Sequence, residues 1–184
     1  MDAGLGALAS GLAAGLVQLV SSRLVLSAAV LIIRETVEMV LVEYSAGLPC
    51  SADQAWKVLR DFGGIADWHP AIVKSRLEGE SGDLRVGAIR RLALADGAVL
   101  RERLIEFDDG VRALAYVFEE SPLPVDGYRA QVRVDEVAEL VERCVVRWSA
   151  GFEVREAGTE EEFEELVRGL IVQGHEGLEG VVRG

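Results

Sequence analysis

Arg90, Glu102 and Tyr116 form the most reactive combination of side chains that this 184-residue chain can bring together by simple strand pairing. If Ala95-Asp96-Gly97 closes a hairpin, Leu94 opposes Ala98 and the register sets Arg90 across from Glu102. If Asp108-Asp109-Gly110 closes the next, Phe107 opposes Val111 and Glu102 faces Tyr116. The three then share a face with Leu92, Leu94, Leu100, Leu104, Leu114 and Phe118, while Arg91, Arg101 and Arg103 point the other way, into water. Desolvation offsets much of what a buried Arg–Glu pair gains, so such a pair on an apolar face reads as an anchor for a polar ligand group or an acid/base set, the alternatives being a structural pair at a cavity edge or a face assignment off by one residue. Burial of Glu102 within hydrogen-bond reach of Arg90 is what the first two require.

Tyr128 and Trp148 fall on the inward alternation of their own strands, beside Ala130, Val132 and Val134 and beside Cys144, Val146, Ala150 and Phe152. They serve as core or pocket wall, and either way they narrow the interior. His69 and His175 stand far apart with no Cys or carboxylate at ligand spacing, so no metal is expected, and no cofactor motif occurs. Ser149 lacks evident His and Asp partners, and Asp61-Phe62-Gly63 spells a kinase triplet in an unrelated context.

The scaffold for these residues begins with an alternating strand, Met39 to Ala46. Ser51 and Gln54 form a capping box for a short helix carrying Ala55, Trp56, Leu59 and Phe62 on one face, ended by Gly63-Gly64. A second short helical turn, Ile65 to Trp68, runs into His69-Pro70. Six strands follow: Ile72 to Glu78, Val86 to Leu94, Ala98 to Phe107, Val111 to Glu119, Tyr128 to Asp135 and Leu140 to Phe152, with a turn at residues 79–83 among those that separate them.

Thr159, with Glu162, is expected to cap a long amphipathic helix from Glu160 to Gly184. Its stripe of Phe163, Leu166, Val167, Leu170, Ile171, Leu178 and Val181 is interrupted by Gly174 and Gly177, and His175 falls on its flank as a surface residue. A helix-interior glycine costs about 1 kcal/mol against alanine, so the two gaps predict space kept open for a ligand. On that reading Gly174→Leu leaves the fold intact and abolishes ligand uptake.

Strand, two short helices, six strands and a long helix resemble the helix-grip fold of the START and pollen-allergen-like superfamily. More narrowly, Ser51-Ala52-Asp53-Gln54-Ala55-Trp56, Asp61-Phe62-Gly63-Gly64, Trp68-His69-Pro70 and Trp148 resemble bacterial proteins of the SRPBCC polyketide cyclase/dehydrase kind. The resemblance implies an α+β fold in which a curved seven-stranded antiparallel sheet wraps the C-terminal helix around a cavity. It puts Trp68 and His69 at the pocket mouth, where His69 is either a loop-fixing hydrogen bonder or the one rim group that titrates near neutrality. The implied ligand is a hydrophobic small molecule, a lipid, polyketide or similar. Its candidate contacts are Trp68, His69, Arg90, Glu102, Tyr116, Tyr128, Trp148, Leu170, Gly174 and Gly177. The alternative is a cyclase/dehydratase in which Glu102, Tyr116 or His69 shuttles a proton.

Nineteen basic against 31 acidic side chains give a net charge of −12 with no basic run, which argues against nucleic acid. Two cysteines without CxxC spacing fit a reducing, cytoplasmic setting, each as a small buried hydrophobe. Residues 1–38 differ in kind from the 39–184 domain, because from Ala3 to Ile33 the only charge is Arg23. Gln18, Ser21, Ser22 and Arg23 split that run into a poor membrane span, and its Met1-Asp2 start is wrong for a secretory signal. Two lysines against seventeen arginines indicate GC-rich coding, in which a start is easily placed too far upstream; Met39 would then be the natural one. Membrane association follows only if the extension is real, and a homodimer stays open.

Overall fold

The structure, a computed structural model, describes residues 39–79 and 84–184. The expectations for residues 1–38 and for the turn at residues 79–83 beyond Gly79 lie outside the described residues. Ten elements follow in order: β1 (Met39–Leu48), α1 (Ala52–Leu59), a 3-10 turn (Ile65–Asp67), β2 (Ile72–Leu77), β3 (Ile89–Leu94), β4 (Val99–Asp108), β5 (Ala113–Glu120), β6 (Val125–Glu136), β7 (Cys144–Val154) and α2 (Glu160–Arg183). The strands make one seven-stranded antiparallel sheet in the order β1-β7-β6-β5-β4-β3-β2, and α2 packs on β1 and β7. The α+β helix-grip expectation is met, with the second short helix reduced to a 3-10 turn.

Strict alternation defines the concave face. Tyr128, Ala130, Val132 and Val134 of β6 and Cys144, Val146, Trp148, Ala150 and Phe152 of β7 are buried, while Arg129, Arg133 and Arg147 between them are exposed. The convex face carries cross-strand ion pairs such as Arg101–Glu78 and Arg129–Glu106, both at 2.7 Å. In water each pair is worth little. Bulges in the β2/β3, β4/β5 and β6/β7 ladders bend the sheet around its helix.

The helix starts differ. Ser51 Oγ accepts from the Gln54 N–H at 3.2 Å and Gln54 Oε1 accepts from the Ser51 N–H at 2.9 Å, so the capping box forms. Thr159 does not cap α2; its hydroxyl donates to the Glu156 carbonyl at 2.7 Å instead. Strand starts move as well. Residues 137–143 form consecutive turns, so β7 begins at Cys144 rather than Leu140, and Arg112 at φ 48° delays β5 to Ala113.

Cys50 and Cys144 are buried side by side, Sγ to Sγ 4.0 Å, as free thiols. Burial raises both, and Cys144 is pushed up to about 12. Since the thiolate is the nucleophile, iodoacetamide at pH 8 is expected to leave both unmodified in the native protein and to alkylate both after urea unfolding, as read by intact mass. Alkylation of the native protein at the rate of a free thiol would contradict this packing.

Candidate functional site

The concave face and α2 enclose a cavity of about 590 Å³ whose wall is mostly Leu, Ile, Val and aromatic side chains. That volume lies in the range of small-molecule sites, roughly 300–1,000 Å³. Of the ten residues singled out in the sequence, His69, Glu102, Tyr116, Tyr128, Trp148 and Leu170 line it. Trp68, Arg90, Gly174 and Gly177 do not.

Arg90 stands directly across from Glu102, as the β3–β4 hairpin requires. Its Nε donates to Glu102 Oε2 at 2.5 Å and its NH1 donates to the Phe62 carbonyl at 3.0 Å. The guanidinium is held against two rings, 4.0 Å from the Phe62 centroid and 4.9 Å from that of Tyr116. Both charged residues are buried, at 4% exposure each. Arg90 therefore sits behind Glu102, and Glu102 carries the pair's polarity to the cavity wall.

The second register differs from expectation. Glu102 opposes Phe118, and Leu104 opposes Tyr116, because the β4/β5 turn is longer and the ladder bulges at Leu104/Glu106. The shift is by two residues, which preserves the face, so Tyr116 still reaches the cavity. Burial pushes the Glu102 carboxyl up, and the Arg90 guanidinium pulls it partly back. The Tyr116 and Tyr128 hydroxyls are both raised, first by burial, and so remain protonated. Trp148 lies against Tyr116 on this wall, with its indole Nε1–H buried beside the Tyr116 hydroxyl.

His69 closes the cavity beneath α2. Its Nδ1 accepts from the Ala71 N–H at 3.2 Å, which leaves the ring proton on Nε2, with the Leu170 carbonyl beside the ring. Burial lowers it from 6.5 to about 4, with the Leu170 carbonyl acting in the opposite direction. His69 is thus neutral at pH 7, the state of a loop-fixing residue. A base whose folded value is depressed contributes stability that is full above its unfolded value and is lost as pH falls toward the folded one. Between pH 6.5 and about 4 the protein is expected to lose up to about 3 kcal/mol through this group. Urea titrations of wild type and His69→Gln across that window check it; equal pH slopes would refute it.

The two helix glycines require a correction. A Cβ at Gly174 would stand 2.9 Å from His69 Cδ2, and one at Gly177 would stand 1.8 Å from the Trp68 carbonyl oxygen. Neither holds space open. The Trp68–Pro70 loop occupies it, so the expectation that Gly174→Leu spares the fold is withdrawn. Trp68 packs there too, 6.2 Å from the Trp148 ring centroid, instead of rimming the mouth. His175, read as a surface residue, is buried at 4% exposure with its ring edge-on to Tyr44, because β1 covers that flank of α2.

Sequence reasoning missed part of the apolar wall, including Ile65, Ile72 and Leu123. Their neighbourhood arises from loops meeting α2, which no local periodicity reports. Among the described residues no cluster of three or more His, Cys, Asp or Glu could hold a metal ion, and no helix is long and apolar enough to cross a membrane.

Residues 39–183 match the sequence pattern of a family described as polyketide cyclase / dehydrase and lipid transport. The chain is similar to an uncharacterised protein of Bacillus thuringiensis at 30% identity, TM-score 0.68, covering 78% of this chain and 99% of that one. It is similar to XoxI of Bacillus cereus at 30% identity, TM-score 0.68, over 78% and 95% of the two chains. The Zhui aromatase/cyclase of a Streptomyces species shares the fold, at 22% identity and TM-score 0.68 over 79% and 94%. No curated protein matches the sequence.

Proposed function

The chain belongs to the polyketide cyclase/dehydrase and lipid transport family, and on that basis we propose that it binds a hydrophobic small molecule between its sheet and α2. The observation that carries this reading is the 590 Å³ cavity, mostly apolar, with Glu102, Tyr116 and Tyr128 on one wall, His69 beneath α2 and Asp96 at the β3–β4 turn. An apolar enclosure with a few convergent polar groups is the form of a ligand site, and a filled core would have no such volume. The two free cysteines support a cytoplasmic setting.

Titration with the neutral fluorophore N-phenyl-1-naphthylamine is the direct test. One molecule per chain is expected to bind with a blue-shifted emission. Leu170→Trp, which places an indole in the cavity from α2, is expected to abolish that binding while leaving the far-UV spectrum unchanged. Absent binding to wild type, or unchanged binding to the variant, would overturn the proposal.

A second reading, catalysis of the cyclase or dehydratase kind, is favoured by one observation. Glu102 and the protonated Tyr116 hydroxyl stand on the same cavity wall, so the carboxylate could accept a proton next to a carbonyl while the phenol donates to the developing enolate. Tyr116→Phe distinguishes the two: a binding protein keeps its probe affinity within about twofold and has no turnover to lose, whereas an enzyme given a poly-β-keto substrate loses turnover.

A further inference from the structure

The charge of the cavity wall narrows the ligand class. Among the described residues no lysine or arginine lines the cavity, and the charged side chains that do are both acidic, Glu102 within and Asp96 at the β3–β4 turn. Arg90 does not line the cavity: it donates to Glu102 Oε2 and the Phe62 carbonyl, and the Phe62 and Tyr116 rings lie against its guanidinium. Glu102 Oε1 makes no hydrogen bond among the described residues, and on the same wall the Tyr116 and Tyr128 hydroxyls are held protonated. The wall thus holds an unused acceptor at Glu102, phenol donors at Tyr116 and Tyr128, and no counter-ion for an anion.

We propose that the cavity selects uncharged ligands bearing a hydroxyl, or a hydroxyl next to a carbonyl, and excludes carboxylates and phosphates such as free fatty acids. This rests on the ligand-binding reading above. A ligand O–H donates to Glu102 Oε1, and its oxygen, or a neighbouring carbonyl, accepts from the Tyr116 or Tyr128 hydroxyl. A ligand carboxylate in the same position has no proton for Glu102 and meets its charge across a low-dielectric wall, where like charges repel strongly. An amine would bring a second cation to a carboxylate that Arg90 already neutralises.

Because an arginine keeps its charge at every working pH, protonating Glu102 would strand a buried guanidinium without a counter-ion. The pair therefore stays ionic near neutrality although burial works against it. His69 adds no positive charge, being held neutral.

Calorimetric titration of the full chain at pH 7 with naphthalene, 2-naphthol and 2-naphthoate tests this with one ring system and three polar ends. The naphthol is expected to bind about tenfold or more tighter than the naphthoate, and more tightly than naphthalene. Glu102→Gln, which leaves Arg90 charged beside a neutral amide, is expected to narrow that ratio at least about fivefold or to reverse it. Tyr116→Phe combined with Tyr128→Phe is expected to remove most of the advantage of naphthol over naphthalene. If wild type binds the naphthoate as tightly as the naphthol, the selection proposal is overturned while the binding reading stands. If none of the three binds, both fall. Should Glu102→Gln fail to fold, the wild-type ranking decides alone.

Discussion

Gly177→Ala is expected to destabilise the protein by about 3 kcal/mol or more, the upper end of what overpacking does, and to prevent folding at moderate temperature. The cause is the Trp68 carbonyl oxygen 1.8 Å from where the methyl would be, with Pro70 Cδ at 3.1 Å on the other side. Backbone cannot swing aside as a side-chain tip can, so either the loop lifts off α2 or the helix shifts. Gly174→Ala meets a ring instead, His69 Cδ2 at 2.9 Å and Nε2 at 3.1 Å, and is expected to cost about 1–2 kcal/mol as His69 gives way.

Gly169 and Gly180 in the same helix have nothing within 4 Å of where an alanine methyl would stand, and alanine there is expected to stabilise by about 0.5–1 kcal/mol. Urea unfolding of the four variants is the measurement. A Gly177→Ala protein within about 1 kcal/mol of wild type would show that the loop does not dock on α2 as described. The same contact ties helix stability to the cavity, because the docked loop carries His69 and Ile72 into the wall.

Breaking the Arg90–Glu102 pair is expected to be asymmetric. Removing one member of a buried ion pair costs about 3–5 kcal/mol, since the other charge is left without compensation. After Arg90→Met, Glu102 can escape by taking up a proton. After Glu102→Leu, Arg90 cannot lose one, so the second variant is expected to be the less stable at pH 5.

The sign of the pH dependence follows. In Arg90→Met the folded-state carboxyl is raised further above its unfolded value, and the stability tied to its neutral form is full at acid pH and lost as pH rises through the folded value. Arg90→Met should therefore weaken relative to wild type between about pH 5 and 8, while Glu102→Leu shows no such added slope. The double variant, Arg90→Met with Glu102→Leu, is expected to recover most of the loss, because two apolar side chains satisfy each other in that space. Parallel pH slopes for the two single variants would contradict a buried, coupled pair.

The features legible in the amino-acid order alone lie within short reach along the chain. Alternation in β6 and β7 named their buried faces, because side chains of a strand point to opposite sides with a period of two. Ser51 and Gln54 marked the start of α1 through a contact three residues long. The Asp96-Gly97 turn fixed Arg90 against Glu102, since Gly97 takes φ 86° and the Asp96 carboxylate accepts from the Ala98 N–H at 2.9 Å, closing the hairpin locally.

The remaining features depend on how distant segments meet. A longer turn and the bulge at Leu104/Glu106 moved Tyr116 from Glu102 to Leu104, and nothing local signals a bulge whose cause is the bend of the whole sheet. His175 reads as surface on α2 alone and is buried because β1 lies over it. Arg90 and Glu102 share a face, yet only packing against Phe62 and Tyr116 puts one behind the other and leaves the carboxylate to meet the cavity. Gly174 and Gly177 are the sharpest case. A missing side chain is a hole or a contact depending on what approaches it, and the approach of the Trp68–Pro70 loop, about a hundred residues away along the chain, is a property of the fold rather than of the helix.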